Sequence, residues 1–349
     1  MYKDKDYSFL SKILHHLALR SNFIPEFLHD VELFIFKKKL KIDNSKQHLF
    51  ICGLPRSGTT ILMRALYETK KFASLTYRDM PFVFMPNIWS KVSSRIKSSA
   101  ERKRIHDDNI SINIDSPEAL EEVFWRIKLQ NQYIYSDKLK THKVDSFTLS
   151  EFRNFISLIL HKYKKTNYLS KNNNNILRIE SLIECFPEST IIIPFRDPLQ
   201  HANSLLRQHK NFTKIQKENK FIKNYMSYLS HYEFGIIHRP YFFSEEKSFD
   251  FDKNSLEYWL NLWINVYKNL LEKKISAKKN IFYLNYEYFC NNSKIVIENI
   301  LNKISLNSLP ADYKFEVKPP MNKEVYTDDE KMLEEAKKVF NDLKLLGKM

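Results

Sequence analysis

One segment constrains this chain more than any other. A short apolar run, His48-Leu49-Phe50-Ile51-Cys52, passes directly into Gly53-Leu54-Pro55-Arg56-Ser57-Gly58-Thr59-Thr60, after which Ile61, Leu62, Ala65 and Leu66 recur at helical spacing. Strand, glycine turn and helix in that order aim backbone N–H groups at one point, where the helix dipole favours an anion. Gly53 and Gly58 have the spacing of the phosphate loop GxxxxGK[ST], but Thr59 stands where its lysine would reach the terminal phosphates of a nucleoside triphosphate. The residues describe an anion site built from Arg56 and the amides of Ser57, Gly58, Thr59 and Thr60, and they count against an ATPase or kinase. No apolar strand ends in a lone aspartate suited to magnesium, so no metal is expected.

The rest of the chain alternates strand and helix. Tyr168–Lys171, Thr190–Phe195 and Asn280–Leu284 read as strands, the second nearly continuous in apolar residues, as buried parallel strands are. Helical spacing runs over Glu118–Gln132, with Ser116 and Pro117 as its start signal, and over Ser150–Tyr163. It returns through most of residues 218–275, then near 293–304 and 328–345. This order predicts an α/β fold of three layers, α/β/α, with a phosphate loop, a central parallel sheet and extra helical segments. A single domain over 1–349 is expected. It divides into an N-terminal helical hairpin (1–45), the phosphate-loop core (46–210), a helical insertion (212–275) and the C-terminal part of the core (276–349). Within the hairpin, Pro25 is read as the break between two helices. Such a hairpin can lie on a membrane surface or supply a homodimer face, but packing on the core is the expectation, because its polar side is not strongly basic before Lys37.

A second cluster lies around Arg196, just after the strand Thr190–Phe195. Asp197 is a natural N-cap and Pro198 a natural first helical residue, so Asp197, His201, Ser204 and Gln208 share one helical face. Pro55-Arg56-Ser57-Gly58-Thr59-Thr60, with Arg196 at a strand end and Ser204 eight residues on, resembles the sulfotransferase family. The family's loop reads PRSGTT or PKSGTT. The resemblance implies 3′-phosphoadenosine 5′-phosphosulfate as donor. Arg56 and the amides of Ser57 to Thr60 would hold its 5′-phosphosulfate, Arg196 and Ser204 its 3′-phosphate, and an aromatic near Tyr286-Glu287 would stack on adenine. Motif spacing is similar to that of the tyrosylprotein branch, which places a lysine about two dozen residues before the 3′-phosphate arginine. Lys171, 25 residues before Arg196, takes that position and would neutralise the departing oxygen.

That branch has a glutamate base about twenty residues after the loop arginine. Here the stretch Leu75-Thr76-Tyr77-Arg78-Asp79-Met80-Pro81-Phe82 has none, and Asp79 is the natural substitute. Asp79 ranks first as base and His106, beside Asp107 and Asp108, second. Asp115, Glu118, Glu121 and Glu122, nearby in sequence, stay open as further candidates, though Glu118, Glu121 and Glu122 also read as acidic residues of a first helical turn. The expected activity is sulfuryl transfer to a hydroxyl of a glycan, a lipid-linked glycan or a small metabolite, in the bacterial branch of the family. The alternatives are a magnesium-dependent nucleotide kinase or hydrolase, and a non-catalytic nucleotide binder.

Composition narrows the partners. Lys plus Arg number 56 against 41 Asp plus Glu, a net charge of +15, which suits anionic ligands. No aromatic-basic repeat suggests nucleic acid, and no apolar run approaches the roughly 18 residues of a membrane span. The basic runs Lys37–Lys41 and Lys162–Lys165 read as solvated faces. Three scattered cysteines form neither a disulfide framework nor a zinc site, and a reducing, cytoplasmic setting is expected.

Overall fold

A computed structural model describes residues 9–40, 47–96, 102–103, 111–243, 251–272, 278–306, 309–318 and 324–347. His106, Asp107 and Asp108 lie outside these residues. The strands are β1 (Leu49–Ile51), β2 (Phe72–Ala73), β3 (Arg102–Lys103), β4 (Ser111–Ile112), β5 (Leu139–Lys140), β6 (Asn167–Lys171), β7 (Thr190–Phe195), β8 (Tyr241–Phe242) and β9 (Ile281–Asn285). Five of them form the central sheet in the order β2-β6-β1-β7-β9, with every neighbouring pair parallel. Short pairs β3–β4 and β5–β8 lie outside it.

The helices are α1 (Phe9–Arg20), α2 (Phe23–Phe36), α3 (Thr59–Tyr67), α4 (Pro86–Ser93), α5 (Glu122–Lys128), α6 (Ser146–Tyr163), α7 (Ile179–Cys185), α8 (Pro198–Glu218), α9 (Lys220–Tyr228), α10 (Leu256–Glu272), α11 (Tyr286–Asn291), α12 (Ser293–Lys303) and α13 (Glu330–Leu346). The sheet is buried on both faces. Leu49, Ile51, Leu169, Ile192 and Leu284 pack with α3 and α12 on one side. Phe50, Tyr168, Ile191 and Ile193 pack on the other with α6, α8 and α10. This is why the strands read as unbroken apolar runs rather than as alternating ones.

β1 occupies the centre, with Ile51 level with Lys171 on one side and with Ile192 on the other. All five strands point the same way, so every loop leaving a carboxyl end emerges at one edge. At the next pair, Phe195 lies level with Asn285. Arg196 and Tyr286, each the next residue in its chain, are therefore neighbours by register alone.

Several helix boundaries differ from expectation, and two of them change the reading. The hairpin breaks at Ser21 and Asn22, while Pro25 sits in the first turn of α2, where its missing N–H costs nothing. Ser116 and Pro117 do not open a helix. They run extended beside the residues before Asp79, with Tyr77 N donating to Ser116 O (3.2 Å) and Glu118 N to Leu75 O (3.0 Å), and α5 starts only at Glu122. The hairpin packs on the core, as expected. Buried Glu32 accepts from the backbone N–H groups of Asn87 (2.5 Å) and Ile88 (3.2 Å) at the start of α4. His16 is tied to Tyr228 of α9 (2.7 Å).

The four asparagines 172–175 are a buried polar web. Arg178, fully buried, donates to both oxygens of Glu122 at 2.8 Å, to Asn175 and to His142. Asn172 Nδ2 donates to Glu122 (2.6 Å), and Asn175 Nδ2 donates to Glu121 (2.8 Å). Burial alone pushes the Glu122 carboxyl up, but the Arg178 guanidinium outweighs it and holds the group below its ordinary value. The web pins the turn that follows β6, and with it Lys171.

Removing one partner strands the other charge without water, so Glu122→Ala is expected to cost about 3–5 kcal/mol in urea unfolding. A second expectation concerns acid. Burial lowers His29, His142 and His209 to about 4 and His201 to about 3. An unfolded histidine binds its proton near 6.5, so between about pH 6.5 and 4 the unfolded chain takes up more protons than the folded one. The urea midpoint should therefore fall steadily as pH drops through that window.

Candidate functional site

The loop after β1 is shaped by two left-handed residues, Arg56 at φ 71° and Gly58 at φ 97°. A Cβ on Gly58 would lie 2.3 Å from Tyr286 Cδ2, so the position needs glycine for both its backbone angle and its space. Ser57 is buried and its Oγ donates to Leu54 O (2.8 Å), which fixes the turn from inside. His201, neutral at physiological pH, holds Pro55 O at 2.7 Å through Nε2. The N–H groups at the start of α3 are thereby set in place before any ligand arrives.

Most of the residues expected from the sequence meet around this loop. Arg56 Nε donates to Ser204 Oγ at 3.2 Å, joining the loop to α8. Asp197 caps α8, its side chain accepting from Gln200 N at 3.0 Å. Arg196 lies over the Tyr286 ring at 5.2 Å and pairs with Glu287 at 3.7 Å, while its buried Nε makes no hydrogen bond. That Nε is the atom facing Glu287, at ion-pair distance but beyond hydrogen-bond reach. An anionic group between Arg196 and the start of α3 fits that donor set.

A cleft enclosing about 640 Å³, part of it open solvent, runs from this loop outward. Arg56, Thr59, Thr60 and Lys171 line it. So do Tyr225, Met226, Leu229 and Phe234, from α9 and the chain after it, with His231 and Glu233 among them. Asn173 joins the two sets, accepting from Thr59 Oγ1 (3.5 Å) and donating to Glu233 (3.1 Å).

Asp79 does not reach this cleft. Its side chain is 0% exposed. One carboxylate oxygen accepts from Thr76 N (2.8 Å) and Tyr163 OH (2.7 Å), and the other pairs with Lys162. Asp79 closes a capping box on the short turn Tyr77–Asp79 and is consumed by it. Its partner Lys162 belongs to the run read as a solvated face, and its side chain is buried in that pair.

Two carboxylates, Glu118 and Glu233, line the cleft with Arg56 and Lys171; Glu118 comes from the extended segment paired with the residues before Asp79. Tyr77 OH donates to its Oε2, and Ala119 N donates to Oε1 at 2.9 Å. The sequence ranked it below Asp79 and His106, because Ser116-Pro117 imitates a helix start and made Glu118 one of three acids in a first turn. Those acids in fact divide. Glu121 and Glu122 enter the asparagine web, and Glu118 stays at the cleft.

A family model described as the Sulfotransferase family matches residues 48–310. No curated protein matches the chain. Among solved structures, sulfotransferase STF1 from Mycobacterium tuberculosis is similar at 10% identity and TM-score 0.48, covering 87% of this chain and 79% of its own. A sulfotransferase from Alicyclobacillus acidocaldarius is similar at 13% identity and TM-score 0.38, covering 85% and 92%. No described helix is long and apolar enough to cross a membrane. The family match takes in well over half of the chain, including the phosphate loop, Lys171, Arg196 and Tyr286, and the chain belongs to the sulfotransferase family of enzymes.

Proposed function

We propose that this enzyme moves a sulfuryl group from 3′-phosphoadenosine 5′-phosphosulfate to an acceptor hydroxyl held against the wall formed by residues 225–234. The observation that carries this reading is one cleft lined by Arg56, Lys171, the start of α3 and a carboxylate, Glu118. In-line transfer needs that pairing, a base for the incoming hydroxyl and positive charge for the departing phosphate. Glu118 takes the acceptor proton as the new S–O bond forms. The S–O bond to the 5′-phosphate breaks, and the charge it leaves is met by Arg56, Lys171 and the amides of Ser57 to Thr60. Arg196 and Ser204 hold the 3′-phosphate, and Tyr286 stacks on the adenine. The wall formed by residues 225–234, apolar through Tyr225, Met226, Leu229 and Phe234 but carrying Glu233, suits an acceptor with both apolar and hydroxylated parts. A glycan, a lipid-linked glycan and a hydroxylated metabolite all meet that description.

Calorimetric titration with 3′,5′-adenosine bisphosphate, the spent donor, is expected to show tight binding without metal and little binding of ADP. Preference for ADP with magnesium would overturn the reading in favour of a nucleotide kinase. Arg196→Ala should weaken the bisphosphate by roughly 10- to 100-fold, the worth of a charge-assisted hydrogen bond.

Glu118→Gln should leave bisphosphate binding intact and slow transfer by about 10²–10⁴-fold. Asp79→Asn should lower the urea midpoint through Lys162 while leaving turnover per folded molecule close to normal. The reverse pattern would return the base to Asp79.

A further inference from the structure

The N-terminal hairpin holds the core with one side only. On α2, Pro25, His29, Glu32 and Phe36 are buried. Phe23, Phe27 and Phe34 are 75%, 56% and 89% exposed. At 100° per residue these three fall within roughly 40° of arc, diametrically opposite Pro25 and Glu32. Phe23 and Phe27 stack on each other with ring centroids 6.3 Å apart, so they form a continuous surface. Ile13 and Leu17 are exposed at i, i+4 spacing on α1. Isolated exposed apolar residues are ordinary, but three phenylalanines aligned on the outward face of one helix are not.

Charge identifies what covers this face. α2 is followed at once by the turn Lys37–Lys39, all three exposed, and preceded by exposed Arg20. Both ends of the phenylalanine stripe are therefore basic. A second copy of the chain laid along α2 would set positive against positive, in either direction, at the two ends of the contact. An anionic sheet of lipid headgroups complements both ends and takes the rings between them. Asp30 shares the arc and is exposed, and Glu26 lies beside it. That limits insertion to the headgroup boundary, the depth at which amphipathic helices bind.

We propose that α2 docks this enzyme on an anionic membrane surface, with Phe23, Phe27 and Phe34 in the headgroup boundary and Lys37, Lys38 and Lys39 against acidic lipid. The hairpin is bound to the core through Glu32 and His16, so docking carries the whole enzyme to the surface rather than a loose arm.

The test is co-sedimentation of the full chain with vesicles of phosphatidylcholine alone and of phosphatidylcholine mixed with phosphatidylglycerol. Binding to the mixed vesicles, weakened by salt, is expected, with little to phosphatidylcholine. F23S/F27S/F34S should lose at least roughly hundredfold in vesicle affinity, because each ring forfeits most of its burial. K37Q/K38Q/K39Q should remove the preference for phosphatidylglycerol, about two orders of magnitude for three lysines. These side chains are exposed, so far-UV circular dichroism and bisphosphate binding should be unchanged in both variants. Two results would overturn the proposal. One is no sedimentation with mixed vesicles at low salt. The other is a dimer in sedimentation velocity that F23S/F27S/F34S converts to monomer while no vesicle binding is seen.

Discussion

The parallel register of four strands is the constraint on which the site depends. β1 sits between β6 and β7, and β9 lies beyond β7, all running the same way. Parallel pairing delivers Arg56, Lys171, Arg196 and Tyr286 to one edge without any of them needing to be near another in sequence. Lys171 is level with Ile51, and Arg196 follows a pair that ends in Asn285. A slip of one residue between β1 and β6 would turn Lys171 to the opposite face. The register is held by continuous apolar strands buried on both faces, so the sheet's hydrophobic packing and the site's geometry have one cause.

Precision beyond the register comes from polar groups that water cannot reach. The turn after β6 must leave Lys171 at the cleft and bring Asn173 between Thr59 and Glu233. A stretch of four asparagines has no intrinsic preference strong enough to do that. Arg178 and Glu122 supply it, as a buried bidentate pair that collects Asn172 and Asn175 around itself. Such a pair contributes little net stability compared with well-packed apolar groups. Its effect here is directional, because each amide has a defined partner and few alternatives.

The sequence disclosed the parts of this design that are local. A phosphate loop is contiguous, and Gly58 announces itself by its spacing. Asp197-Pro198 marks the start of α8 through capping and a fixed φ, both read within a few residues. The strands were legible because burial on both faces leaves an unbroken apolar run. What stayed hidden depends on pairing across long separations. Ser116 and Pro117 carry the local signature of a helix start, but extended pairing with the residues around Thr76 overrides it. Lys162 looked like one of several solvated lysines until Asp79, more than eighty residues earlier in the chain, was seen to bury it.

The carboxylates show why pairing decides role. Asp79 and Glu118 both bond to the short segment Thr76–Tyr77, Asp79 through Thr76 N and Glu118 through the Tyr77 hydroxyl. Asp79 turns back onto Thr76 N and meets Lys162 and Tyr163, so its charge is balanced and its lone pairs are occupied. A carboxylate so placed is held in the turn, away from the cleft where an acceptor would bind. Glu118 accepts from one phenol and one amide and still lines a cleft open to solvent. Its partners orient it, and a proton can reach it from a bound acceptor. Spacing from the phosphate loop would have chosen Asp79. Access to the cleft, where Glu118 is a lining residue and Asp79 is not, is what makes Glu118 the proposed base.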